Sequence, residues 1–295
     1  MTPRDILLAL AVVFVWGINF VAIRWGVDEV PPLLLSALRY VFAALPAVFF
    51  IRRPAVSLRL LVFYGLAIGF AQFGLLFFAI KLGMPAGLSS LVMQLQAFFT
   101  IGLAMLFIRE RPVPAQLLGA AIAFCGIAVI AAERLEGAAL LPLLMTIGAA
   151  FFWGVGNIAT KKAGKVDMLA FVVWSALVPP IPLFIASLLI EGPGAVPLAL
   201  SQLTIKGAGG LAFIAYASTL FGYGLWSLLL SKYPANMVAP FSLLVPIAGI
   251  GSAALLLGER ISDLEIAGSA LVFAGLLVNV FGPRVWRGRG PAATR

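Results

Sequence analysis

Residues 84–130 decide the fold, and their sequence is MPAGLSSLVMQLQAFFTIGLAMLFIRERPVPAQLLGAAIAFCGIAVI. Residues 233–279, with the sequence YPANMVAPFSLLVPIAGIGSAALLLGERISDLEIAGSALVFAGLLVN, align with them without a gap at a shift of 149 positions. The clearest matches are Pro85-Ala86 with Pro234-Ala235 and Glu110-Arg111 with Glu259-Arg260. A repeat of this kind predicts a chain built from two related halves.

The composition of the whole chain is that of a membrane protein. Its 295 residues are 63% hydrophobic and only 11% charged, and the mean hydropathy is +1.12. A soluble domain carries about 25% charged residues, because its surface faces water. A helix needs about 20 apolar residues to cross a bilayer, and ten runs meet that length. We therefore predict an all-α integral membrane protein with ten transmembrane helices. The predicted spans are 5–24, 32–51, 60–80, 86–108, 114–132, 138–160, 168–190, 206–230, 235–257 and 264–282, and the longest predicted loop is Glu191–Ile205.

The predicted topology explains the basic residues that give the chain its net charge of +9. Of the 20 lysines and arginines, 14 fall on the side of the N-terminus, five fall on the opposite side, and Arg39 falls within a span. An excess of lysine and arginine marks the cytoplasmic side of a membrane. We therefore expect both termini in the cytoplasm, and the basic character needs no nucleic-acid partner.

A second repeat relates the starts of the two halves. Trp16-Gly17 with Asn19 resembles Trp153-Gly154 with Asn157 at a shift of 137–138. Each half then holds five spans, and because five is odd, the second half enters the membrane inverted. Inverted repeats are typical of secondary transporters, whose substrate site lies near the midplane where the halves meet. The predicted units are a first repeat at 1–135, a second at 136–283 and a basic cytoplasmic tail at 284–295.

Polar and aromatic side chains within the spans are the candidate substrate-binding residues. A polar group in lipid costs free energy, so it should face the protein interior or a wet cavity. The candidates are Trp16, Asn19, Gln72, Gln94, Gln96, Trp153, Asn157, Tyr216, Tyr223 and Trp226. An indole beside an amide suits an amphipathic solute. The alternative for the two Trp–Asn pairs is helix packing with a structural asparagine.

Four further positions are candidates for gating or anchoring: Arg39, Pro85, Pro234 and Pro246. Two interpretations of Arg39 stay open. It snorkels to the surface near Asp28 and Glu29, or it serves as a carboxylate anchor or a gating ion pair. The prolines remove backbone hydrogen bonds from their helices and so supply hinges.

Missing residue types narrow the function further. The chain has no histidine, and no aspartate or glutamate lies in the middle of a span. An intramembrane enzyme would need such groups, so we predict neither catalysis, nor a metal site, nor a cofactor. Proton coupling through a buried carboxylate has no carrier either, which favours facilitated transport.

The sequence resembles the drug/metabolite transporter superfamily, in particular its ten-span exporter family, typified by bacterial exporters of cysteine, O-acetylserine and aromatic amino acids. The likeness covers essentially the whole chain. It is carried by Val15-Trp16-Gly17-Ile18-Asn19-Phe20, Gly83-Met84-Pro85-Ala86-Gly87-Leu88, Gln94-Leu95-Gln96-Ala97-Phe98-Phe99-Thr100, Glu110-Arg111, Phe152-Trp153-Gly154 with Asn157, Ser242-Leu243-Leu244-Val245-Pro246 and Gly258-Glu259-Arg260.

The resemblance implies a central cavity lined mainly by spans 1, 3, 4, 6, 8 and 9, with spans 5 and 10 packed away from it. It also implies export across the bacterial inner membrane by alternating access. We expect the substrates to be neutral amino acids and related metabolites, with aromatic amino acids as a further option, and the monomer to be functional. The alternative is another small solute, such as a nucleotide sugar or a drug-like cation. A nucleotide sugar would require several basic residues within the spans, and only Arg39 qualifies.

Overall fold

A computed structural model describes residues 1–109, 112–134, 140–164, 166–233 and 235–287. Within these ranges every regular element is a helix. The helices are α1 Pro3–Glu29, α2 Pro32–Val48, α3 Leu58–Lys81, α4 Ala86–Ile108, α5 Pro114–Arg134, α6 Leu140–Ala163, α7 Met168–Ser175, α8 Pro180–Ile190, α9 Ala195–Gln202, α10 Ile205–Lys232, α11 Ala235–Val238, α12 Val245–Leu257 and α13 Asp263–Arg287. The predicted tail begins within α13, and residues 288–295 lie outside the described ranges.

Seven of the described helices are long and apolar enough to cross a membrane, namely α1, α3, α4, α5, α6, α10 and α13. An eighth candidate is the pair α7 and α8, which is bent by 41° where Pro179, Pro180 and Pro182 interrupt the helix. Two further apolar helices, Pro32–Val48 and Phe241–Leu257, are shorter. The chain is therefore a multi-pass, all-helical membrane protein. The longest predicted loop is not a plain loop, because it contains α9.

The outside of the bundle is more apolar than a soluble protein tolerates. Leu255 is 87% exposed, Leu189 81% and Leu106 72%. The interior is apolar as well, with Phe77 and Phe171 fully buried. A surface rich in large exposed apolar side chains fits lipid contact and not water.

Four of the helical segments depart from α-helical geometry in corresponding pairs. A π-helical stretch, Gly65–Gln72, interrupts α3, and another, Phe213–Phe221, interrupts α10. A 3₁₀ turn, Met93–Leu95, interrupts α4, and another, Ala239–Leu244, precedes α12. Each pair is related by the shift of about 149 positions seen in the sequence. Such departures from the α-helix are common at functional sites.

The ends of α4 and α12 also correspond. Arg109, just after α4, has φ 59°, and Gly258, just after α12, has φ 66°. A left-handed residue at this position closes a helix C-terminus, and glycine is the residue that adopts it most readily. The first half therefore reproduces with an arginine a backbone turn that the second half makes with a glycine.

Helices α5 and α13 pack against each other through glycines. A Cβ atom added at Gly119 would lie 2.6 Å from the carbonyl oxygen of Gly275, and one added at Gly126 would lie 2.5 Å from that of Gly268. Because the shift of 149 aligns Gly119 with Gly268 and Gly126 with Gly275, these contacts exchange equivalent positions. Each helix thus contacts the other through the same two positions of the repeat. The two helices therefore run in opposite directions and are related by an approximate two-fold axis.

The same relation recurs where helices border the centre of the bundle. A Cβ at Gly17 would lie 2.9 Å from the backbone nitrogen of Gly249, which brings α1 against α12. A Cβ at Gly154 would lie 3.2 Å from the backbone nitrogen of Thr100, which brings α6 against α4. Thr100 and Gly249 are aligned by the shift of 149.

One end of the bundle, here called the glutamate end, is defined by Glu29, Glu191 and Glu259. Their carboxylates accept hydrogen bonds from backbone N–H groups of other helices or loops. Glu259 accepts from Ala86 and Gly87 at 2.7 and 3.0 Å, Glu191 from Leu33 and Leu34 at 2.6 and 3.2 Å, and Glu29 from Thr204 at 2.8 Å. A carboxylate at a helix N-terminus satisfies free N–H groups and complements the helix dipole.

The opposite end, here called the lysine end, is defined by Lys161, Lys162 and Lys232. There the Tyr233 hydroxyl donates to the Asp5 carboxylate at 2.7 Å, and Lys232 pairs with Asp5 at 3.4 Å. These contacts join the start of α1 to the end of α10. Residues predicted to share a side of the membrane thus meet at the same end of the bundle.

Candidate functional site

A cavity of about 400 Å³ lies at the centre of the bundle. Nine of the ten candidate substrate-binding side chains line it: Trp16, Asn19, Gln72, Gln94, Gln96, Trp153, Asn157, Tyr223 and Trp226. They belong to α1, α3, α4, α6 and α10, which brings residues from both halves of the sequence to one space.

Tyr216 is the exception. It is 43% exposed and is not part of the cavity wall, so it does not share a face with Tyr223 and Trp226, which line the cavity. The cause is the π-helical stretch Phe213–Phe221, whose backbone bonds span five residues. Each turn then holds more residues than an α-turn, and the spacing i, i+7 no longer returns to one face.

The wall also contains residues that sequence reasoning missed. Arg39, considered above for gating or anchoring, is among the lining residues as well. The missed residues are Phe20, Tyr64, Phe73, Leu76, Met93, Thr160, Met168, Ser218, Leu230, Ser242 and Val245. Most are apolar, and an apolar residue within a membrane span carries no sequence signal that separates the cavity side from the lipid side.

An aromatic cluster forms the part of the wall between α1 and α10. The Trp16 ring lies 5.5 Å from the Tyr223 ring and 5.2 Å from the Trp226 ring, both in tilted arrangements. The Trp16 Nε1 donates to the carbonyl oxygen of Ser218 at 3.1 Å, which fixes the orientation of the indole. Gly222 allows this approach, because a Cβ there would lie 2.5 Å from Trp16 Nε1. The cluster offers aromatic surface to an apolar part of a solute.

Asn157 is held by α4 on the opposite wall. Its Nδ2 donates to Gln96 Oε1 at 2.6 Å and to Thr100 Oγ1 at 2.9 Å. The Thr100 hydroxyl in turn donates to the carbonyl oxygen of Gln96 at 2.6 Å. This amide network joins α6 to α4 and leaves the Asn157 donor group occupied within the protein.

Asn19 occupies the corresponding place in the first half but has a different environment. Its side chain is 6% exposed, and its Oδ1 has no hydrogen-bond partner in the described part of the chain. A buried acceptor without a partner costs about 1–3 kcal/mol. Because Asn19 lines the cavity, a donor group on a bound solute would remove that cost.

Arg39 lies deep in the bundle, only 2% exposed, and does not snorkel to the surface. Its Nη2 donates to Thr219 Oγ1 at 3.1 Å, and its guanidinium carbon lies 3.7 Å from the centre of the Phe73 ring. Its Nε and Nη1 have no partner among the described residues. The acids near which it was expected to snorkel bond elsewhere, since Asp28 pairs with Arg24 at 3.1 Å and Glu29 accepts from Thr204.

Two of the prolines considered for gating, Pro85 and Pro246, lie in the described part of the chain and do not line the cavity. Pro85 precedes α4, whose first N–H groups bond to Glu259. Pro246 lies in the first turn of α12, and its carbonyl oxygen is 3.5 Å from Ser90 Oγ. Pro234 and the Glu110-Arg111 pair lie outside the described residues.

The cavity is more accessible at one end than at the other. Toward the lysine end its wall includes Thr160, Met168 and Leu230, which are partly exposed. Toward the glutamate end it includes Leu76 and Met93, which are 1% and 0% exposed. The lining residues are therefore partly exposed toward the lysine end and buried toward the glutamate end.

The electrostatic character of the wall is set by Arg39. None of the described lining residues is an aspartate or a glutamate, and the chain has no histidine. The described residues likewise contain no group of three histidines, cysteines or acids that could hold a metal ion. The site can therefore bind a solute through aromatic faces, amides and one positive charge.

Comparisons with known proteins identify a family and several relatives. A family model described as the EamA-like transporter family matches residues 4–132 and 140–281. A probable amino-acid metabolite efflux pump of Escherichia coli is 47% identical over 293 residues, covering 97% of this chain and 98% of that protein. A protein of the same description from Salmonella typhimurium is 46% identical over the same coverage.

More distant proteins extend the comparison. A probable terminal-alkyne amino-acid exporter of Streptantibioticus cattleyicolor is 30% identical, covering 92% of this chain and 91% of that protein. A crystal structure that is 17% identical in sequence superposes with a TM-score of 0.67, covering 98% of this chain and 100% of that one. At that identity the likeness concerns the fold alone.

Proposed function

The chain belongs to the EamA-like transporter family, and we propose that it exports neutral amino acids and related metabolites, aromatic amino acids included, from the cytoplasm. The family and the near relatives are transporters, so the chain is a membrane transporter of small molecules and not an enzyme.

The observation that carries the proposal is the composition of the cavity wall. Ligand sites for small molecules have volumes of about 300–1,000 Å³ and combine apolar surface with a few placed polar groups. The cavity of about 400 Å³ fits that range. It combines the Trp16 aromatic cluster, the amides of Asn19 and Gln96, and the guanidinium of Arg39. These groups complement a small solute with an apolar side chain and a polar head.

The proposed architecture has ten spans in two inverted five-helix repeats. Three observations support it: the paired π and 3₁₀ segments, the exchanged glycine contacts between α5 and α13, and the matching contacts of Gly17 and Gly154. Inverted halves supply two related conformations, and alternating access follows when they exchange. The monomer encloses the whole cavity, so we propose that it works without a second copy and without a nucleic-acid partner.

The proposed orientation places the lysine end and both termini in the cytoplasm of a bacterium, with the protein in the inner membrane. Support comes from the excess of lysine and arginine on that side. The cavity then faces the cytoplasm in the present conformation, where an exporter loads its cargo.

The proposed mechanism is facilitated and not coupled to protons. The described cavity wall carries no carboxylate, and the helices that form it carry no acid in the middle of their spans. A carrier of this kind moves cargo down its concentration gradient. Abolishing the pH gradient should leave the rate unchanged, whereas strict dependence on the gradient would refute the mechanism.

Counterflow in proteoliposomes tests the function. Vesicles that contain the purified protein are loaded with an unlabelled neutral amino acid and diluted into the labelled compound, with protein-free vesicles as the control. We expect transient accumulation of label only with protein. No exchange of any neutral amino acid would refute the proposal. Exchange of a nucleotide sugar or an organic cation in its place would establish the alternative.

A further inference from the structure

Arg39 presents a charge that the protein itself does not neutralise. It is 2% exposed, and no ion pair joins it to an acid in the described part of the chain. An isolated buried charge is costly, and a buried charge persists when it is paired and hydrogen-bonded. Its present partners are uncharged: the Thr219 hydroxyl and the rings of Phe73, Tyr40 and Phe77, whose centres lie 3.7, 5.3 and 6.0 Å from the guanidinium carbon.

Long stretches of the sequence on the helices around Arg39 contain no acid. No aspartate or glutamate occurs between Glu29 and Glu110, a stretch that contains the whole of α2, α3 and α4. None occurs between Glu191 and Glu259 either, a stretch that contains α10 and α12. Glu29, Glu191 and Glu259 are engaged at the glutamate end by backbone N–H groups. A gating ion pair with one of these acids would therefore need large movements.

A small pocket of about 20 Å³ adjoins the central cavity, and Arg39 lines both. Tyr40 and Thr219 also line the small pocket, and the Tyr40 hydroxyl has no partner among the described residues. A volume of this size holds about one water molecule. The Arg39 guanidinium therefore lies between a cavity large enough for a solute and a pocket large enough for about one water molecule.

We propose that the carboxylate of the cargo is the counter-charge of Arg39, so that the carrier selects solutes with a free carboxylate. This inference rests on the proposed function and adds the group by which the cargo is recognised. Arg39 supplies donors through Nε and Nη1, and Asn19 Oδ1 accepts from the ammonium group; none of these three atoms has a partner in the described part of the chain. Both side chains line the same cavity, so it offers donors for a carboxylate and an acceptor for an ammonium group. The Trp16 cluster is left for the apolar side chain.

The first experiment needs no variant. Counterflow by the wild-type protein is measured with a neutral amino acid, with its carboxamide and with the corresponding decarboxylated amine. A hydrogen bond to a charged group contributes about 1.5–3 kcal/mol, so we expect KM for the carboxamide and the amine to be about 10- to 100-fold higher. Equal KM values for the acid and the carboxamide would overturn the inference and leave the proposed function intact. If none of the three compounds moves, the proposed function fails and the inference falls with it.

The second experiment compares variants. Arg39→Met should raise KM for the acid to the value of the carboxamide, with a much smaller change in KM for the carboxamide. Arg39→Lys, which keeps the charge, should restore part of the preference. Arg59→Met is the matched control, because Arg59 is exposed and lies outside the cavity. Should Arg39→Met fail to fold, the Arg39→Lys variant and the wild-type comparison still decide the question.

A small inorganic anion is the rival source of the same negative charge. The wild-type assay is therefore repeated with sulfate in place of chloride on both sides of the membrane. We expect the same preference for the acid in both buffers. Loss of transport without chloride, together with equal KM values for the acid and the carboxamide, would assign the counter-charge to a bound chloride ion and overturn the inference.

Discussion

The two walls of the cavity carry the same residue types and bond them differently. On the wall of the second half, Asn157 donates to Gln96 and Thr100 and is satisfied within the protein. On the wall of the first half, Asn19 and Arg39 retain polar atoms that have no partner among the described residues. Asn19 and Asn157 correspond in the sequence repeat, but their hydrogen bonding differs. The difference indicates that one wall maintains the cavity while the other is free to bind a solute.

Helices α5 and α13 form a close-packed frame that joins the two halves away from the cavity, and breaking it should have the largest effect. Gly126→Leu would drive a side chain into the Gly268 backbone, where even a Cβ would come within 2.5 Å. Overpacking of this severity costs about 3 kcal/mol. We expect a large loss of folded protein, measured by size-exclusion chromatography and thermal unfolding in detergent.

Gly102→Leu is the matched control for that change. A Cβ at Gly102 meets no atom within 4 Å, so a larger side chain has open space. Its folded yield should equal or exceed that of the wild type, because leucine favours a helix more than glycine does. Equal losses for the two variants would contradict the assignment of α5 and α13 as a close-packed frame.

Asn157→Ala tests the wall that is satisfied internally. The change removes two hydrogen bonds and leaves Gln96 Oε1 without its donor, which costs about 1–3 kcal/mol. We expect a lower midpoint of thermal unfolding and a reduced maximal rate of counterflow. An unchanged midpoint with a raised KM would instead assign Asn157 directly to the solute.

Asn19→Ala should behave in the opposite way. No internal hydrogen bond of its Oδ1 is lost, so the thermal midpoint should stay within about 1 °C of the wild type or rise. A solute that donates to this oxygen would lose about 1.4 kcal/mol, which corresponds to a tenfold higher KM in counterflow. If both asparagine variants lower stability equally, the contrast between the two walls is wrong.

The contrast between Asn19 and Asn157 also marks what a sequence can reveal. Nine cavity residues could be predicted because a polar side chain in lipid must find a polar environment. The position of Tyr216 outside the cavity could not be predicted, because the π-helical stretch changes which residues share a face and no residue type indicates such a stretch. The inward direction of Arg39 and the apolar lining residue Leu76 depend on tertiary packing. Tertiary packing also decides that Asn157, and not Asn19, forms side-chain hydrogen bonds within the described part of the protein.

The smallest effect is expected where the two halves meet at the glutamate end. Glu259, in the second half, accepts from the N–H groups of Ala86 and Gly87 in the first half, and we expect this contact to help close the cavity at the glutamate end. Glu259→Gln weakens a charge-assisted cap by about 0.5–1 kcal/mol. We expect the conformation open toward the glutamate end to gain population about threefold, measured as a lower KM for cargo presented from that side relative to the lysine end.

Asp167→Asn is the matched control for Glu259→Gln. Asp167 also caps a helix, accepting from Leu169 and Ala170 at 2.9 and 3.2 Å, but both partners lie in its own half. Its replacement should lower stability to a similar small extent without changing the ratio of KM values from the two sides. Of the two caps, that of Glu259 joins one half to the other and that of Asp167 does not, so a shift in that ratio for both variants would show that it reports general loosening. A shift for Glu259→Gln alone would identify this contact as part of the barrier at the glutamate end.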